Sequence, residues 1–201
     1  MRNLIIALYI LFFINCSTTR KKINNNNTVI SYNELSNNYV SCTGYGNISS
    51  VGNYKGKLSF NFMSQNDSSF FQFQDFLGRK VLLMWLTPNS ANAWNVLENK
   101  RYDFNLIKGL FPLLSVVEPM SITKFLWGEE SIFNSDEFKV LGSKSDNLSI
   151  TFEKSSQEES LINKAIFKDV TNRQEIEILL NSRVHSNEFI DFDKIWRLML
   201  I

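Results

Sequence analysis

The sequence predicts a mainly β domain, an antiparallel meander with one oily face and a few short helices. Three observations carry this. Apolar residues recur at every second position in short stretches such as KLSFNFM and SFFQFQDF. Turn residues bound those stretches. Helical spacing of apolar residues is confined to one stretch before the first strand and one block in the middle of the chain.

The first 28 residues stand apart from that domain. Arg2 and Asn3 form a short positive head, and residues 4–14 are an unbroken apolar run. A bilayer-spanning helix takes roughly 20 apolar residues, so the run is too short to cross. It fits the apolar core of an export signal, with no stop-transfer pattern behind it. Residues 13–16 read FINC, which resembles a bacterial lipobox, where a peptidase cuts before a cysteine alkylated with diacylglycerol. Leu usually stands in place of Phe13, and a small residue in place of Asn15. The alternative is an ordinary secretory signal with an incidental cysteine. On the lipoprotein reading, residues 1–15 are the signal peptide and Cys16 is the lipidation site. Residues 16–28 are then the lipidated cysteine and a polar, Asn-rich tether. Two acyl chains suffice for stable membrane anchoring. Arg20, Lys21 and Lys22 either rest on anionic headgroups or form a solvated basic patch.

Residues 29–201 are expected to form one domain. Cleavage before Cys16 removes 15 residues from 201 and leaves 186, enough for a substantial core. Taking Arg2 from the 21 basic residues leaves 20, against 20 acidic ones. That balance gives no support for a nucleic-acid partner. With Cys16 lipidated, Cys42 has no disulfide partner and reads as a small buried residue.

Val29, Tyr32 and Leu35 predict a short opening helix. In YVSCTGYGNISSV, Gly44 and Gly46 predict a bulge or bend in a strand. KLSFNFM and SFFQFQDF alternate, with Phe60, Phe62, Phe71 and Phe73 on one face. KVLLMWLT is apolar on both faces, as in a covered central strand, so the parity of Leu83 and Trp85 is open. NAWNVLENKRYDFNL reads as two strands around a turn at residues 98–100. Leu110, Leu113, Leu114 and Val117 form a helical face that Gly109 and Pro112 keep short. PMSITKFLWG predicts a second helix, with Ser121 as its cap, Ile122, Phe125 and Leu126 as its face, and Gly128 as its end. EFKVLG, LSITFEK and KAIFKDV read as strands. RQEIEILLNSRV carries Ile176, Ile178 and Leu180 on one face. FDKIWRLML continues the strand region to the end of the chain, with Ile195 and Trp196 as its bulk.

Catalytic patterns are not evident, and the chain is not read as an enzyme. His185 is the only histidine, so no His pair can hold a metal, and it reads as a surface residue. There is no G-x-S-x-G elbow and no phosphate-cradling glycine loop. Glu129-Glu130 and Glu158-Glu159 read as solvated loop residues. No cofactor is implied. What stands out is bulk: 17 Phe and 4 Trp. Such alternation either fills a solid core or lines an apolar cavity that accepts acyl chains.

The run FFQFQDFLGRKVLLMWL, followed by YDFNLIKGLFPLLSVVEPMSITKFLWG, resembles the LolB family of outer-membrane lipoprotein receptors. Phe76-Leu77-Gly78 stands where that family has Pro-Leu-Gly. Pro112 and Leu113 stand near its Leu-Pro element, and Phe125-Leu126-Trp127-Gly128 resembles its closing Leu, Trp and Gly segment. The likeness covers roughly residues 40–128.

The resemblance implies an open antiparallel β half-barrel enclosing short helices, the LolA/LolB-like fold. It also implies a function. A lipid-anchored protein at the periplasmic face of the outer membrane accepts lipoproteins from a soluble LolA-like carrier and inserts them into the membrane. The partners would be lipoprotein acyl chains, that carrier and the membrane, with the receptor acting as a monomer. Leu77, beside Gly78, matches the protruding loop leucine that aids insertion; the plainer reading is a strand-end leucine. The expected acyl-chain cavity comprises Phe60, Phe62, Phe71, Phe73, Leu83 and Trp85 from the strands, with Leu110, Leu114 and Phe125 from the helices. The alternative is an envelope lipoprotein of the same fold with a structural or assembly role and no transfer. Ser17 after Cys16 is not the Asp linked to inner-membrane retention, which favours the outer membrane. Mass spectrometry of the mature N-terminus is expected to find diacylglycerol on Cys16; an N-terminus elsewhere, or a free thiol, rules the anchor out.

Overall fold

The computed structural model describes residues 30–52, 55–110, 117–130, 147–154 and 161–200. Cys16, the signal segment and the tether lie outside the described residues, as do EFKVLG and Leu114. Helix α1 (Tyr32–Asn38) leads into six strands: β1 (Ser41–Val51), β2 (Gly56–Gln65), β3 (Ser68–Gln74), β4 (Lys80–Thr87), β5 (Ser90–Asn95) and β6 (Lys100–Tyr102). Helices α2 (Phe104–Leu110) and α3 (Pro119–Trp127) follow. Strands β7 (Leu148–Lys154), β8 (Ile162–Asp169) and β9 (Gln174–Ser186) precede a last helix, α4 (Phe192–Leu200). The strands form one open antiparallel sheet of nine, in the order β6-β5-β4-β3-β2-β1-β9-β8-β7. The mainly β, antiparallel expectation holds.

Local chemistry explains the helices. Ser31 and Glu34 form a reciprocal capping box at the start of α1. That helix buries Tyr32 and Leu35. The Tyr32 hydroxyl donates to Asp67 at 2.6 Å. Burial, reinforced by that carboxylate, pushes the phenol well above its ordinary range. Asp103 accepts from Leu106 N–H at 2.9 Å and so starts α2 earlier than the apolar spacing around Leu110 predicts. Helix α3 also starts earlier than predicted. Pro119 occupies its first turn and Ser121 is not its cap. Gly128 ends it in the left-handed region at φ 106°, as predicted.

Helix α3 touches β3, β4, β8 and β9 and also bonds to β2 through Ser64. These strands lie up to five strand spacings apart, about 24 Å, whereas a helix is roughly 10–12 Å across. The sheet therefore curls around α3. Gly44 and Gly46 permit the bend. Phe62 and Phe60 face them across the β1–β2 pairing. A Cβ on Gly46 would stand 2.4 Å from the Leu179 carbonyl and 2.7 Å from the Phe60 ring. The predicted irregularity falls here too: the β1–β9 register shifts between Tyr45 and Gly46.

On the concave face, Phe60, Phe62, Phe71 and Phe73 are buried against α3 with Leu86, Ile107, Leu126 and Trp127. Phe71 and Phe73 stack at 5.6 Å. Ala91 and Ala93 are small, buried members of the same cluster on β5, the strand that α2 packs against. A chain of hydroxyls crosses this layer. Trp127 Nε1 donates to Ser64 at 2.8 Å, and Ser69 bridges Ser64 and Thr123 at 3.0 and 2.9 Å.

Two further expectations are overturned. Leu83 and Trp85 lie on the opposite, convex face with Phe70, Trp94, Phe192 and Ile195. Strand β4 is covered on both faces, so its residue types gave no parity, and one step exchanges the faces. The final stretch is helix α4, not a strand. Phe192 and Ile195 fall at i and i+3 and pack on that convex face. Gly46→Ala is expected to lower stability by about 1–3 kcal/mol, read as a lower urea midpoint at unchanged slope; an unchanged midpoint would show that β1 and β9 can part freely.

Candidate functional site: an apolar cleft and a hairpin tip

Strand β9 fixes one end of α3. Its residues Ile176, Ile178 and Leu180 share the concave face. The register shift opposite Tyr45 and Gly46 leaves Asn181 as the extra residue, so Arg183 and His185 face inward as well. Arg183 Nε donates to the Leu126 carbonyl at 2.6 Å. Its Nη2 reaches the carbonyls of Phe125 at 3.1 Å and Ile162 at 2.5 Å. His185 Nε2 lies 3.1 Å from the Trp127 carbonyl, and its ring stacks on Tyr39 at 5.3 Å. His185 is thus half-buried structure, not the free surface histidine expected. Helix C-terminal carbonyls lack intrahelical partners and carry negative partial charge, so a guanidinium there supplies both hydrogen bonds and a favourable dipole contact.

Towards the other end of α3 lies an apolar cleft of about 60 Å³. Val117, Ser121, Ile122 and Phe125 form one wall. Ile150 and Phe152 of β7, Ala165 and Phe167 of β8, and Ile176 and Ile178 of β9 form the other. An engineered cavity of about 150 Å³ takes a benzene ring. This cleft is smaller and admits no acyl chain unless α3 shifts. The N-cap residue of α3, Glu118, makes no side-chain capping bond, whereas Arg183, His185, Trp127 and Ser64 hold its C-terminus.

The residues expected to line the cavity therefore divide. Phe125 lines the cleft. Phe60, Phe62, Phe71 and Phe73 fill the neighbouring core solidly. Leu83 and Trp85 are on the other face, as described above. Leu110 closes α2, but its side chain lies outside the described residues, as does all of Leu114. Sequence reasoning missed Phe152, Ala165 and Phe167; the signal was the alternation in LSITFEK and KAIFKDV. Cys42 is buried, as expected, and its thiol donates to the Leu126 carbonyl at 3.7 Å.

The β3–β4 hairpin is built to display its tip. The Asp75 carboxylate accepts from Leu77 N–H at 2.9 Å and Arg79 N–H at 3.0 Å. Arg79 returns two side-chain contacts to it, both at 2.7 Å. Gly78 takes φ 76°, which lets the chain reverse. Phe76 is 90% exposed and Leu77 63%. Leu77 thus protrudes, rather than lying buried at a strand end. Desolvation of Asp75 opposes ionisation, but the hydrogen bonds from Arg79 and Leu77 outweigh it and hold the carboxyl below its ordinary value.

Among the described residues, no three His, Cys, Asp or Glu side chains are grouped to hold a metal ion, and no helix is long and apolar enough to cross a membrane. No family model matches the chain, and no curated protein matches it.

Because the folded Asp75 pKa is depressed, its contribution is complete above the ordinary value of 3.8 and is lost as pH falls through the lower folded value. Amide exchange at Leu77 and Arg79 is expected to accelerate, relative to its intrinsic rate, only below about pH 4. Asp75→Asn should show faster exchange at neutral pH; protection that ignores both changes would mean the carboxylate does not hold the turn.

Proposed function

We propose that the chain is a lipid-anchored envelope protein of the LolB type. It accepts lipoproteins from a soluble periplasmic carrier and hands their acyl chains to the outer membrane. The observation that carries this is the β3–β4 hairpin: its bonded base holds Phe76 and Leu77 in solvent on a sheet whose concave face is apolar. The order of the described elements is compatible with the half-barrel of the LolA/LolB-like fold: one helix, six strands, two helices, three strands and a last helix. The likeness of residues 40–128 to that family and the lipobox at residues 13–16 point the same way. In this reading Cys16 anchors the chain, the cleft beneath α3 widens to take acyl chains, and the hairpin tip enters the bilayer. An apolar site exchanges chains with a bilayer at little net cost, since both environments bury the same surface.

The solid Phe core favours a second reading, an envelope lipoprotein of this fold with a structural or assembly role. One experiment separates the two. A photocrosslinker in place of Phe152 is expected to capture the acyl chains of a carrier-bound lipoprotein, and one at exposed Thr151, on the opposite face of β7, is not. Equal capture at both positions, or none, selects the structural role. Leu77→Glu should leave the unfolding midpoint unchanged. It should slow membrane delivery by about tenfold or more, since burying a leucine contributes about 1.5–3 kcal/mol.

A further inference from the structure

Strand polarity places four connections at one end of the sheet: β1–β2, β3–β4, β5–β6 and β8–β9. Each carries a large exposed apolar side chain: Val51 at 61%, Phe76 at 90% with Leu77 at 63%, Leu97 at 58%, and Val170 at 68%. Among the described residues, the hairpins at the opposite end turn on Asn66-Asp67 and Pro88-Asn89 instead. Charge divides along the same axis. Lys55, Lys57, Arg79, Lys80, Lys100, Arg101, Lys168 and Arg173 lie at or beside the apolar tips. Acidic residues there are fewer, and two of them are paired: Asp75 with Arg79 and Glu175 with Lys168. Glu34, Asp67, Glu188 and Asp191 lie at the other end with the single strand-end cation Lys154 among the described residues; that end also exposes Tyr39, Val40 and Phe189.

From this arrangement we infer that the basic rim of the sheet is a docking surface for an anionic lipid bilayer, with all four tips in contact. Neighbouring connections in the strand order are about 10 Å apart at the usual strand spacing. The apolar groups are therefore separate prongs set among cations. A protein interface needs a contiguous, well-packed apolar centre depleted of charge. A bilayer interface needs only apolar side chains that enter to about 5–10 Å and cations at headgroup level. The acidic far end disfavours the inverted orientation. The docked protein stands with its strands directed at the membrane. Ile150, Phe167 and Ile176 of the cleft then lie within three residues of the rim end of their strands. The rim does not depend on acyl chains entering the cleft, so the two proposals fail separately.

The test uses the full chain with Cys16→Ser, on vesicles of phosphatidylcholine with phosphatidylglycerol. An environment-sensitive fluorophore is attached through Leu97→Cys or Val170→Cys on the rim, or through Asn89→Cys or Phe189→Cys at the far end. Lipid-borne quenchers are expected to quench the two rim labels and to leave the far-end labels as they are in buffer. Lys57→Gln with Lys80→Gln should lower the docked-to-undocked ratio about 25-fold, at roughly fivefold for each cation removed. Both substitutions are on exposed side chains and spare the core. Rim labels that stay unquenched, or quenching equal at both ends, overturns the proposal. Equal rim quenching on pure phosphatidylcholine overturns the choice of an anionic surface. Rim-label burial that appears without vesicles and grows with protein concentration assigns the rim to a second copy of the chain instead.

Discussion

The contact on which most of this structure depends is the grip of Arg183 on the C-terminal carbonyls of α3. One guanidinium binds the Leu126 and Phe125 carbonyls and, through Ile162, the start of β8. Charge-assisted hydrogen bonds of this kind are about twice as strong as neutral ones. They join the roof helix to two strands that also meet it through apolar packing, the His185 contact with the Trp127 carbonyl and the Ile162 N–H bond to the Gly128 carbonyl. That packing gives burial without register, because hydrophobic contact is non-directional. The guanidinium and the hydroxyl chain from Trp127 to Ser64 and Ser69 give α3 a fixed position along the sheet. The C-terminus of α3 is thus held on both sides, and the cleft lies towards its other end.

That constraint depends on an irregularity. Strand alternation would send Arg183 and His185 outward if Leu180 faces inward. The extra residue at Asn181 reverses the parity, so one strand is apolar inside over its first half and polar inside over its second. The apolar half faces the cleft, and the polar half faces the end of α3. Gly44 and Gly46 on β1 make room for the same bend.

The residues most readable in the sequence were those with a periodic or conformational demand. Phe60, Phe62, Phe71 and Phe73 alternate, so their shared face was legible. Gly44, Gly46 and Gly128 marked a bend and a helix end. Leu83 and Trp85 were not legible, since a strand covered on both sides carries no face signal. Helix α4 was misread although Phe192 and Ile195 stand at helical spacing and its apolar residues break strict alternation; its packing partner is the convex face of β3 to β5, distant in sequence. Arg183 looked like one cation among many; only the bulge and the end of α3 give it a role. The protruding hairpin was legible as Phe-Leu-Gly, but its rigidity resides in Asp75 and Arg79, whose pairing needs the turn to be seen. The cleft was the least legible part. Its walls come from four separated segments, each of which alone reads as ordinary core.

The pairing of β1 with β9 has a consequence for how the domain is made. These strands sit side by side within the sheet, yet Ser41 is matched with Ser186. The six-strand and three-strand halves can each form by hairpin steps, but the seam between them waits for almost the whole domain to emerge. Closing so long a loop is entropically costly and slows folding. Until β9 arrives, one hydrogen-bonding edge of β1 has no neighbour and α3 has no guanidinium at its end. The domain gains from this order of events. Its sheet cannot close early around an incomplete polypeptide.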